Sequence, residues 1–62
     1  MTALERALEI WQVHGPGTWE NAEGPKDWYA VSHELNGIVA YFKNERNAYM
    51  WRFDQINNFL NL

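Results

Sequence analysis

The chain has no cysteine among its 62 residues. Disulfides are therefore excluded, and so are thiolate metal sites. No apolar run approaches the roughly 20 residues that a helix needs to cross a bilayer. Positive charge is sparse: five Lys and Arg stand against eight Asp and Glu, for a formal net charge of −3. Those five (Arg6, Lys26, Lys43, Arg46, Arg52) are scattered along the chain, whereas a phosphate-backbone binder needs them clustered. The start of the chain carries no signal-peptide pattern, so a cytoplasmic setting is expected. There is no internal repeat and no low-complexity tract.

What is present is aromatic. Four Trp, three Tyr and three Phe make up 16% of the chain, while the mean hydropathy is only −0.54. The rings are thus set among polar neighbours. A chain this short buries only about 60% of the surface that it exposes when unfolded. Without disulfides or a structural metal, large rings are the available source of burial, and association with another chain is the other.

"TALERALEIWQVHG" reads as a helix over about 3–14. Thr2 with Glu5 three residues on forms a capping box. Leu4, Leu8 and Trp11 recur at helical spacing with Ala7 beside them, and Gly15-Pro16 is a stop. A strand across "LEIWQV" is the rival reading. Residues 15–27 form one long loop punctuated by Gly and Pro, with Trp19 as its expected pin. "WYAVSHEL", Asn36-Gly37 and "IVAYFK" read as a β-hairpin over 28–43, because an Asn-Gly turn suits the positive φ of a type I′ turn. With a two-residue turn, Leu35 faces Ile38, His33 faces Ala40 and Val31 faces Phe42. A three-residue loop with a Gly bulge is the alternative; it re-pairs the strands and takes Val31 off Phe42's face. Asn44 is an N-cap for a last helix over about 45–60, with Glu45 on the positive end of its dipole. Tyr49, Phe53, Ile56 and Leu60 form its expected core stripe, and Trp51 falls nearly opposite. The expected object is one α+β domain over 1–62, in the order helix, hairpin, helix (αββα).

Chemistry-bearing patterns are thin. "HGPGTW" lacks the spacing of a phosphate loop, and its glycines follow a helix rather than open one. His14 and His33 are weak metal candidates, since no pair has the i, i+4 spacing of a helical zinc site. His14 is expected in the last turn of the first helix, and His33 beside Ala40. Ser32 and His33 are neighbours on a strand and point to opposite faces, which defeats a nucleophile–base pair between them. No cofactor motif is present, and an enzyme is not expected. Trp28 and Tyr41 on one hairpin face suit base stacking in type, but Glu34 shares that face and Lys43 is its one basic residue. A single-stranded nucleic-acid binder is therefore the lesser reading, and a His-based metal protein a further one. The leading expectation is a non-catalytic protein-interaction or accessory module that pairs with itself as a homodimer or with another protein. Its interface candidates are Trp51, Met50, Trp28, Tyr41, Val39 and Trp19, because rings dominate interface hot spots.

Overall fold

The computed structural model describes residues 2–18 and 25–61. The chain runs helix α1 (Ala3–Ile10), strands β1 (Trp11–His14), β2 (Tyr29–His33) and β3 (Gly37–Phe42), then helix α2 (Glu45–Leu60). The α+β class holds, with three strands in the antiparallel order β1-β2-β3 rather than a bare hairpin.

α1 begins where the capping box places it. The Thr2 hydroxyl accepts from the Glu5 amide, and the Glu5 carboxylate accepts from the Thr2 amide, both at 3.1 Å. The helix does not reach His14. It ends at Ile10, and Trp11 is already extended at φ −109° and ψ 113°. Residues 11–14 carry a β-branched Val and an aromatic ring, which suit a strand better than a helix. Pairing with β2 then decides the outcome, because a two-stranded sheet is only marginally stable. The expected stripe of Leu4, Leu8 and Trp11 is accordingly corrected. Trp11 leaves the helix, Leu4 and Leu8 are exposed, and Ala7 is the buried residue of α1.

The helix end would leave bare carbonyls, yet each finds a donor. The Ala7 carbonyl accepts from the Trp11 amide. The Leu8 carbonyl accepts from a terminal guanidinium nitrogen of Arg52 at 3.1 Å, and the Trp11 carbonyl from Arg52 Nε at 2.7 Å. The Glu9 carbonyl takes the Gln12 side chain, and the Ile10 carbonyl takes the Glu34 amide. Arg6 adds an exposed ion pair to Glu34 at 2.6 Å. This pairing holds the guanidinium above its ordinary pKa and joins α1 to the hairpin turn.

The hairpin turn is the three-residue form. Gly37 pairs with His33 and sits at φ +74°, and no other residue between Glu34 and Gly37 has positive φ. The type I′ Asn-Gly turn and its pairings are therefore corrected. Val31 pairs with Ala40, Tyr29 with Phe42 and Ser32 with Ile38, with a bulge between Val31 and Ser32. The bulge has a clear purpose. Continuing from His33–Gly37 without it would set Val31 opposite Val39 and turn Phe42 to the other face. One extra residue restores the phase. Val31, Ala40, Tyr29 and Phe42 then share a face with Trp11, Val13 and His33, through the β1–β2 pairs Trp11–His33 and Val13–Val31.

α2 lies across that face and also packs against α1. Asn44 caps it, its side chain accepting from the Asn47 amide at 2.9 Å. The expected stripe on α2 is corrected at three of its four residues. Ile56 is buried, as is Ala48, but Tyr49, Phe53 and Leu60 are exposed. Trp51 faces inward instead. Its ring meets Trp11 edge-on at 6.0 Å and Phe42 at 5.8 Å. Among the described residues no helix is long and apolar enough to cross a membrane.

Candidate functional site

The helical period explains how α2 acquires two apolar faces. At 100° per residue, Ala48, Trp51, Arg52, Gln55 and Ile56 gather on one side, and Tyr49, Met50, Phe53 and Leu60 on the other; Phe59 continues the first side but stays exposed near the helix end. The first set wins the core because Trp51 meets the rings of Trp11 and Phe42 while Arg52 reaches the α1 carbonyls. The second set is left facing solvent. Phe53 is 63% exposed, Met50 55% and Tyr49 48%. With Arg46 and Asp54 they line an open depression of about 300 Å³. Tyr49 is steadied from the side by the Arg52 guanidinium, 6.0 Å from its ring centre. The result is a shallow apolar groove between a cation and an anion, on a helix that is well held from behind.

The interface candidates are spread over the molecule. Met50 lies in this groove. Trp51 is half-buried on the opposite side of α2, in contact with rings of its own chain. Val39 is exposed at the bulge, Trp28 is marginally exposed, and Tyr41 is half-buried on the sheet face away from α2. Trp19 lies outside the described residues. The sequence pattern places Tyr49 and Phe53 in the core, whereas the structure turns both to the surface. The signal for them was the second i, i+4 row on α2, but spacing alone does not say which row turns inward.

The histidines do not meet. His33 shares the α2 side of the sheet with Trp11, its ring 4.6 Å from the indole, and its Nδ1 accepts from the Leu35 amide at 3.1 Å. His14 is on β1 rather than in a helical turn, directly opposite Ala30 and on the other face. The two cannot ligate one ion, and the described residues contain no cluster of three or more metal-ligating side chains.

His14 does find a partner that sequence reasoning missed. Its Nε2 lies 2.8 Å from the Ser32 hydroxyl. The pair is visible only once residues 11–14 are a strand beside β2. A serine–histidine contact is the start of nucleophile chemistry, but that chemistry also needs a group orienting the second ring nitrogen. The contact is equally well a satisfied polar pair across two strands.

No protein-family model matches the chain, and no curated protein or solved structure does either.

Proposed function

We propose that this chain is a small non-catalytic interaction module that docks protein through the outward face of α2. The observation that carries the reading is the side-by-side exposure of Tyr49, Met50 and Phe53 on a helix whose other face already fills the core. Single exposed hydrophobics are ordinary, whereas a contiguous set flanked by charges is the usual form of a docking surface. The rings and the thioether belong to the residue types enriched at such surfaces.

A photo-reactive phenylalanine analogue in place of Met50, expressed in cells, tests it. Discrete protein adducts are expected, and Phe53→Gln in the same chain should abolish them. The same analogue at Leu35, a lone exposed side chain at the hairpin tip, serves as reference. Labelling at position 50 no stronger or more discrete than at 35 would remove the reading.

A further inference from the structure

The groove on α2 has a direction and a symmetry. Arg46, Met50 and Asp54 are spaced four residues apart and form one ridge along the helix, and Tyr49 and Phe53 form the next. Rows of this i±4 kind interdigitate when two helices cross at about −50°. The first ridge has Met50 at its centre, a cation four residues before it and an anion four residues after it. A two-fold axis beside Met50 lays the ridge antiparallel on a copy of itself. Arg46 then meets Asp54 of the copy, Asp54 meets Arg46, and the two Met50 side chains meet each other. Neither Arg46 nor Asp54 enters an ion pair with a described residue of its own chain. A parallel arrangement would instead set Arg46 against Arg46, and like charges across an interface are costly.

Resting on the docking face proposed above, we infer that its occupant is a second copy of this chain, held by antiparallel pairing of the two α2 outer faces about Met50. The charge placement is the reason to commit to a copy: the surface is complementary to itself, which is what an isologous contact requires. One helix face is at the small end of specific interfaces, so the pair is concentration-dependent and exchanges readily. Its rim charges make it weaker in high salt.

The test is the solution mass of the full chain by sedimentation, up to about 1 mM, where weak affinities still assemble. Wild type should approach twice the monomer mass. Arg46→Glu makes both ends of the ridge acidic, and Asp54→Lys makes both basic. Each variant alone should stay monomeric while retaining the wild-type circular dichroism. Mixed in equal amounts they should form a heterodimer, and the double variant R46E/D54K should pair with itself again. A monomeric wild type at that concentration would overturn the inference, as would single variants that dimerise like wild type or a mixture that stays monomeric. Should either single variant fail to fold, Met50→Glu sets two carboxylates against each other at the axis and must abolish the wild-type dimer. Cross-linking at position 50 separates the two claims. Adducts to another protein with no self-adduct would leave the interaction reading standing and remove the self-pairing.

Discussion

Arg52 illustrates how one side chain can join two elements. Its guanidinium donates to the carbonyls of Leu8 and Trp11, at the point where α1 turns directly into β1. Arg52→Ala leaves two backbone acceptors without their donor, which costs about 1–3 kcal/mol. A lowered urea midpoint with unchanged slope is the expected measurement. Arg52→Lys should recover only part of the loss, since a single ammonium lacks the planar fork that reaches both carbonyls. Trp51 is the second such residue. It packs on Trp11 and Phe42, and truncating a packed Trp to Ala costs on the order of 3 kcal/mol. In so small a domain that is a large share of the stability. Trp51→Ala should lose its cooperative thermal transition while Trp51→Phe keeps one. A Trp51→Ala protein that melts like wild type would mean that the ring does not support the core.

At the scale of elements, the hairpin shows two local demands in conflict. The turn after His33 sets one pairing phase, and the face that meets α2 needs the other. The bulge between Val31 and Ser32 reconciles them. Gly37 is the residue on which the turn depends, at φ +74° with no atom within 4 Å of where a Cβ would stand. Gly37→Ala therefore carries a backbone penalty without a clash, about 1 kcal/mol by denaturation. Gly37→Asn should recover part of it, because Asn tolerates the left-handed region. The helix starts are simpler. Thr2 and Asn44 both accept at their expected caps, and either one changed to Ala should cost about 1 kcal/mol.

For the whole molecule the consequence is a thin core with its rings around it. Among the described residues the buried apolar ones are Ala7, Ala30, Val31, Ala48 and Ile56, mostly small, so the half-buried rings at the edge of that core carry much of the burial. The two sides of α2 should then respond differently to substitution. Ile56→Ala is expected to destabilise by about 2 kcal/mol or more. Phe53→Gln and Met50→Gln should stay within about 0.5 kcal/mol when measured at a concentration where the chain is monomeric. A Phe53→Gln variant that unfolds would place that ring in the core after all. The outer face would then cease to be a docking surface.

What could be read in advance was local. The Thr2 and Asn44 caps, the bounds of α2, the β-character of residues 29–33 and 38–42, and the α+β class all follow from side chains acting on their own or neighbouring backbone. The choices left open were between nearly equal local options. Residues 11–14 could be helix or strand, and the edge of β2 settled it by offering backbone partners. Asn36-Gly37 suited two turns; the chain takes the three-residue one, and the bulge between Val31 and Ser32 is what keeps Val31 and Phe42 on one face. α2 carried two apolar rows, and the positions of Trp11, Phe42 and the end of α1 decided which turned inward. Each of these depends on groups far apart in the chain, so only the assembled fold could rank them.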